Sequence, residues 1–461
     1  MTRRLRVTTL AVALTATFAA AQTAQATTDT TEPATTEADG DGGSGNAEPG
    51  ATSGSGWTVS TDDCTDPDAA AAPIEGTIKI GMVAPLSGGP AATAFSPVTE
   101  GMQAYIDWAN ENELVPGVTI ELSIVDDQYN PSLTTGAVNG LLDEGVHVFS
   151  GNIGSPNNAA VMDLLNEECV PQMMALTGLP EFGDEVAENP WTFIGQMVYD
   201  VEAAAYAASM AENLGEGATA AIFYTNSEFG QVYQEAFTEA AGENGIEIVE
   251  EQTIEATDTA PPTAQVSAIA SAAPSAILAV PLGAGCPVFL AELANAKAAN
   301  PGWEPVVYMT NTCASQLILL AAGEAANGVY TSAWAGLHDV YDPAQAELPG
   351  VAEYIARMTE IGKTDFLSTS ASGWNTAEVT VEIIRRAAES ESGLSRVSII
   401  EAARDLDYHP SLARDGANAT MAGEEDGFLF EDVQIIQYDQ PNGIWVDVGE
   451  MISHADDDAE D

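Results

Sequence analysis

The chain has 461 residues, of which 70 are Asp or Glu and only 12 are Lys or Arg, for a formal net charge of −58 at pH 7. Phosphate recognition needs a basic face, so this balance excludes nucleic acid as a partner. Self-repulsion on this scale weakens the compact state at low ionic strength, and the surface reads as adapted to salty surroundings.

Arg3, Arg4 and Arg6 precede an apolar, Thr-rich run from Val7 to Ala21, and Ala24-Gln25-Ala26 has the small-x-small form of a cleavage site. The pattern predicts a secretory signal peptide over 1–26 and an exported protein; the run is too short and too Thr-rich for a membrane anchor. Removing it takes away three Arg and no acid, so −58 becomes −61. Residues 27–73 are Thr, Asp, Glu, Gly, Ser, Ala and Pro with almost no large apolar side chain, which predicts a disordered acidic linker. Within it Gly40, Gly42 and Gly45 satisfy G-x-G-x-x-G, but no strand precedes and no helix follows, so no nucleotide site is read there. Residues 451–461, ending in Asp456-Asp457-Asp458-Ala459-Glu460-Asp461, read as an acidic tail.

The stretch between is too long for one usual domain and predicts two lobes. Ile78, Ile80, Met82 and Val83 make a short apolar strand. A Pro/Gly/Ser turn over 85–90 follows, and then Val98, Met102, Tyr105, Ile106 and Ala109 recur at helical spacing. Strands are expected at 118–127, 146–151 and 170–175, with a helix carrying Leu133, Val138 and Leu141 between the first two. Ser155-Pro156 reads as a helix start, Ser as N-cap and Pro at the first helical position. From Tyr199 onward the alternation resumes: helix 203–214, strands 220–224, 246–254, 276–281 and 306–309, and helices 266–272 and 288–297. Helices near 350–361, 372–389 and 395–404 precede short strands at 428–430, 433–438 and 444–448.

Four cysteines, Cys64, Cys169, Cys286 and Cys313, allow three pairings, and an exported context favours disulfides. Cys286 and Cys313 each follow a strand. If those strands are parallel neighbours, both thiols sit at one sheet end, which favours Cys286–Cys313 and leaves Cys64–Cys169. The other pairings and four free thiols stay open.

Catalytic constellations are scarce. His occurs only at 147, 338, 409 and 454, no G-x-S-x-G is present, and Gly362-Lys363-Thr364 lacks the upstream Gly of a phosphate loop because position 357 is Arg. No enzyme, cofactor or metal site is expected.

Pro85-Leu86-Ser87-Gly88 with Asn110, the Asp126-Asp127-Gln128-Tyr129-Asn130-Pro131 turn, and Phe229-Gly230 before a helix are matched by one family. Over roughly 77–449 the chain resembles the type 1 solute-binding proteins of ABC transporters, the leucine/isoleucine/valine-binding group. The resemblance implies two doubly wound α/β lobes, 77–197 with 329–427 and 198–328 with 428–450, joined by a three-strand hinge. It implies a monomer that closes on a small organic solute, an amino acid or related carboxylate or amide, and hands it to permease subunits. Sensor ectodomains of the same fold and, more remotely, a secreted enzyme are the alternatives. Relatives are often lipoproteins, whereas no Cys lies near the cleavage site here. In the first lobe the ligand-binding positions are Ser87, Ser155, Thr177 and Gly178; the loops matching Ser155 and Thr177-Gly178 hold carboxylate and amine in the family. The second lobe supplies Tyr224, Gly283, Asn311 and Thr312 by position. A cap, a core residue or a turn former explains several of these equally well. Amino-acid binders carry an acid after the strand at 306–309, where this chain has Thr310-Asn311-Thr312-Cys313, so a carboxylate without an amine, an amide, a urea or a small aromatic acid is as well accommodated.

Overall fold

The computed structural model describes residues 56–453; the signal peptide and the bulk of the acidic linker and tail lie outside the described residues. Within that span the strands form a five-stranded sheet, a seven-stranded sheet and two short pairs. The first sheet is built from β1 (Thr77–Ala84), β2 (Thr119–Asp126), β3 (Val148–Ser150), β4 (Gln172–Ala175) and β5 (Thr192–Ile194), all parallel in the order β2-β1-β3-β4-β5. The second contains β6 (Thr219–Thr225), β7 (Glu247–Ile254), β8 (Ala276–Val280), β9 (Val306–Met309) and β10 (Tyr330–Ser332) as parallel neighbours in the order β7-β6-β8-β9-β10. Each sheet therefore reverses its winding beside its first strand, and open α/β sheets bind ligands at the strand carboxyl ends next to such a reversal.

Strand residues alternate between two helical layers because side chains along a strand point to opposite faces. On β6, Ala220 and Ile222 pack towards α6 (Tyr199–Leu214) and α7 (Glu228–Glu243), while Ala221 and Phe223 pack towards α8 (Thr263–Ala272) and α9 (Gly285–Ala299). In the first sheet Ile78, Ile80 and Met82 face the core under α2 (Gly89–Glu111), and Val83 faces the side of α3 (Pro131–Asp143) and α4 (Ser155–Glu167). At the end of α2 the Asn110 amide bonds both the N–H and the C=O of Ile120 at 2.9 Å, pinning the helix to β2.

Three segments carry the chain between sheets. Residues 195–198 lead from β5 into α6, residues 333–337 leave β10, and residues 430–434 return towards β14 (Ile435–Asp439), which with β15 (Ile444–Asp447) completes the second sheet antiparallel to β10. After the second passage α11 (Pro349–Glu360), α12 (Leu367–Glu389) and α13 (Arg396–Ala403) pack on the first sheet's core. The α2–α12 crossing is close: a Cβ at Gly101 would sit 1.8 Å from the Ser370 carbonyl, and one at Gly373 would sit 1.8 Å from that of Val98. β11 (Asp407–Tyr408) and β12 (Ala419–Thr420) pair beside them.

Three expectations need correction. Residues 56–73 are not linker: α1 (Pro67–Ala71) is capped by Asp66, Ala70 and Val59 are buried, and Thr65 N–H bonds Glu167 O at 2.8 Å. A few small apolar groups and a covalent tether order a segment whose composition is that of a linker. Residues 428–430 are no strand; Leu429 and Phe430 are buried in an irregular run. The tail begins later than 451, since β16 (Ile452–Ser453) pairs with β13 (Asp432–Val433). The structure joins Cys64 to Cys169 and Cys286 to Cys313, with Cα–Cα distances of 5.4 and 5.8 Å. β8 and β9 are indeed parallel neighbours, which brings both second-lobe thiols to one end. Two short elements complete the fold: α5 (Glu181–Asp184) and α10 (Gln316–Ala322).

Candidate functional site

The loops after β3 and β4 build one floor of the cleft. Gly154, at φ 109°, is the N-cap of α4, so Ser155 occupies the first helical position rather than the cap. A Cβ at Gly154 would lie 2.6 Å from the Tyr129 ring, so only glycine admits that ring beneath the loop. Freed from capping, the buried Ser155 hydroxyl accepts from Thr177 Oγ1 at 2.9 Å and donates towards Tyr199 Oη at 3.5 Å. Tyr199 Oη accepts that hydrogen bond and so keeps its own O–H to donate. Its pKa is pushed up to about 12, by burial first, so the phenol stays a neutral donor. The floor thus presents hydroxyls beside a helix N-terminus and contains no Lys or Arg, an arrangement that holds a carboxylate or a carbonyl.

The walls are apolar. A small chamber of ≈ 20 Å³ lies between Ile153 and Leu176 of the first lobe and Phe229 and Leu282 of the second, with Tyr199 and Gln196 from the first crossing. A larger chamber of ≈ 90 Å³ continues towards the hinge, where Asn311, Gln316, Asp339 and Ser368 contribute polar atoms. Phe95, Val98, Thr312 and Trp334 line both.

The Asn311–Thr312 loop is held from two sides. Cys313 is tied to Cys286. From below, Glu202 accepts the Asn311 N–H at 2.9 Å, together with Ser332 Oγ at 3.0 Å, Tyr233 Oη at 2.5 Å and Tyr206 Oη. Glu202 is fully buried, and burial raises its pKa in spite of these four donors, which pull it the other way. Through it the start of α6, the ligand-side loop and β10 share one carboxylate.

Of the residues expected from the sequence, Asn311 and Thr312 line the larger chamber and Thr312 the smaller as well, whereas Ser155 and Thr177 are buried behind Gly154 and Leu176 and reach the smaller chamber through Tyr199. Ser87 does not: it is exposed, and its hydroxyl donates to Asp126 at the end of the neighbouring strand. Tyr224 does not: as an even-numbered β6 residue it turns to the α6–α7 layer, half-buried. Gly178 lies under the first crossing, where a Cβ would be 2.5 Å from Met197 O, and its carbonyl accepts from Tyr199 N at 2.8 Å; it seats Tyr199. Gly283, at φ 51°, touches the first lobe, with an added Cβ 2.6 Å from Pro90 O. Among the lining residues that sequence reasoning missed are Phe95, Tyr129, Gln196, Tyr199, Phe229 and Trp334. Phe229 and Tyr129 stood within the recognised turns. The others sit on a helix face or a crossing, where periodicity shows burial but not against what.

The model of the family described as periplasmic binding protein matches residues 77–443. Comparison with curated protein sequences gives no match. Among solved structures, the chain is similar to a branched chain amino acid ABC transporter protein from Thermus thermophilus with bound valine, at 20% identity and TM-score 0.72, covering 83% of this chain and 97% of that one. It is also similar to a fatty acid ABC transporter substrate-binding protein from Thermomonospora curvata, at 21% identity and TM-score 0.70, covering 83% and 95%. A third similar structure is a solute binding protein of an ABC transporter from Rhodopseudomonas palustris in complex with 3,4-dihydroxy benzoic acid, at 19% identity and TM-score 0.65, covering 82% and 98%. These structural likenesses speak for the fold alone. The family match runs from β1 to the turn before β15 and takes in the first sheet, all of the second but β15, and the three crossings, so this chain belongs to the periplasmic binding protein family.

Proposed function

We propose that this protein captures a small organic solute carrying a carboxylate or carbonyl in the cleft between its two lobes, 77–197 with 329–427 and 198–328 with 428–450, closes on it about the three crossings, and delivers it to an ABC permease outside the cytoplasm. The observation that carries this reading is the buried Thr177–Ser155–Tyr199 hydroxyl chain at the start of α4, whose last member, Tyr199, lines a chamber with apolar walls from the other lobe. The ligands named for the three similar structures, valine, fatty acid and dihydroxybenzoate, share a carboxylate and differ in body, which fits a common floor and variable walls. Two disulfides suit an exported protein. With Asn311 where amino-acid binders carry an acid, an ammonium has no free carboxylate at that loop, and an acid or amide is favoured over an α-amino acid.

A melting screen against carboxylates, amides and amino acids tests the reading. A true ligand at about a hundred times its dissociation constant stabilises by about 2.7 kcal/mol. A screen in which no carboxylate or amide raises the melting temperature counts against it.

A further inference from the structure

The hinge-side chamber is built differently from the hydroxyl floor. Asn311 is 2% exposed, and neither its Oδ1 nor its Nδ2 has a partner. Gln316, 3% exposed, donates Nε2 to Asp339 Oδ1 at 2.5 Å. A carboxylate only accepts, so this bond fixes the orientation of the amide and leaves Gln316 Oε1 as an unpartnered acceptor on the chamber. Trp334 Nε1 and Ser368 Oγ are also buried without partners, and all four residues line the same chamber. Buried polar atoms without partners are costly, and this many in one chamber mark a place that something polar occupies.

The charges nearby are already engaged. Asp339 also accepts the N–H groups of Trp445 at 2.8 Å and Tyr341 at 2.9 Å. Arg414 pairs with Asp447 at 2.9 Å and donates to the Leu337 carbonyl. What remains open is neutral and two-sided: donors from Asn311, Trp334 and Ser368, acceptors from Asn311 and Gln316. A carboxylate there would face two orphan carbonyl oxygens and the buried Asp339. An ammonium would meet an Asp339 that already accepts three N–H groups, would face the Arg414 guanidinium, and would leave the donors of Asn311, Trp334 and Ser368 unused. A carboxamide or urea group has both an acceptor and N–H donors and matches the set. Phe95, Val98 and Trp334 line both chambers, so an occupant of one reaches the other through an apolar neck.

We propose that the ligand is elongated, with a carboxylate or carbonyl at the Tyr199 hydroxyl that the Ser155–Thr177 pair orients, an apolar middle, and a neutral carboxamide- or urea-type end held in the hinge-side chamber by Asn311 and Gln316. This rests on the solute-binding reading of the cleft.

The test is titration calorimetry of the exported protein with straight-chain monocarboxylic acids of about four to eight carbons, each compared with the acid of equal length ending in a carboxamide. At one length or more the amide acid is expected to bind about 10- to 100-fold tighter, the worth of two or three neutral hydrogen bonds. In Asn311→Leu that ratio should fall towards one; because it is taken within the variant, a general loss of fold or affinity cancels. Equal binding of acid and amide acid at every length overturns the proposal and leaves the carboxylate floor standing. Tighter binding of dicarboxylates than of amide acids overturns it as well. Failure of both series to bind removes the carboxylate reading of the cleft and this proposal with it.

Discussion

At the scale of single residues, two carry testable roles. Ser155 is not the cap of α4; its hydroxyl accepts from Thr177 and donates towards Tyr199, so it acts on the chamber by orienting the Tyr199 phenol. Ser155→Ala should cost about 0.5–1.5 kcal/mol of affinity for a carboxylate ligand, the worth of the neutral hydrogen bond that orients Tyr199. Stability without ligand should fall by only about 1 kcal/mol, from the orphaned Thr177 hydroxyl. Calorimetric titration beside urea unfolding separates the two; a variant that unfolds earlier yet binds normally would mean that Tyr199 needs no orienting by Ser155. Glu202 is buried with raised pKa, so the folded state keeps its proton to higher pH than the unfolded chain does. Its contribution to stability is therefore complete below the ordinary value of 4.5 and is lost as pH rises through the folded value. Glu202→Gln removes that slope: relative to the native protein the variant should gain stability steadily from acid to neutral pH in urea melts. Parallel profiles would mean that Glu202 is ionised throughout.

At the scale of elements, the α2–α12 crossing and the two disulfides decide how the lobes hold their loops. Gly101→Ala places a methyl group against the Ser370 backbone carbonyl, which cannot move aside as a side chain would. The helices must separate, at a cost of about 1–3 kcal/mol in the urea midpoint. Gly136, on the open face of α3 with nothing within 4 Å, serves as the control, where alanine should be neutral or stabilising. The Cys64–Cys169 bridge closes 105 residues and Cys286–Cys313 closes 27. On chain entropy alone their removal costs about 4.8 and about 3.6 kcal/mol respectively. Only the second bridge holds a cleft loop, so Cys286→Ser with Cys313→Ser should weaken ligand binding, and Cys64→Ser with Cys169→Ser should lower the melting temperature and spare affinity. Equal loss of affinity in both double variants would count against a positioning role for Cys286–Cys313.

At the scale of the whole molecule, the charge of −58 dominates. Raising salt from low to molar levels shortens the Debye length from about 30 Å to about 3 Å, so acidic self-repulsion is screened and the melting temperature should climb. A flat or falling profile would argue that the acids are balanced locally. The second lobe offers the sharper contrast, since Lys297 is its single basic residue between 198 and 328, and its bridge to Glu304 is exposed and worth little.

Much of this was determined along the chain itself. Strands and helices alternate with clean periods of two and three to four, and β1, α2, β6 and β9 fall close to where their apolar patterns place them. A doubly wound sheet makes each strand a buried run and each helix a one-sided one, so local spacing carries the architecture. That Ser155, Thr177 and Asn311 stand in loops at strand carboxyl ends was legible for the same reason. What the tertiary structure alone decided is direction and pairing: that Tyr224 turns to the helix layer, that Ser87 answers Asp126 instead of a ligand, and that Gly154 takes the cap. It also decided that residues 56–73 pack, and that the Asn311 amide and the Gln316 Oε1 line one chamber without partners. These depend on contacts between segments far apart in sequence, where the position of a side chain follows from what the neighbouring element leaves open rather than from its own spacing.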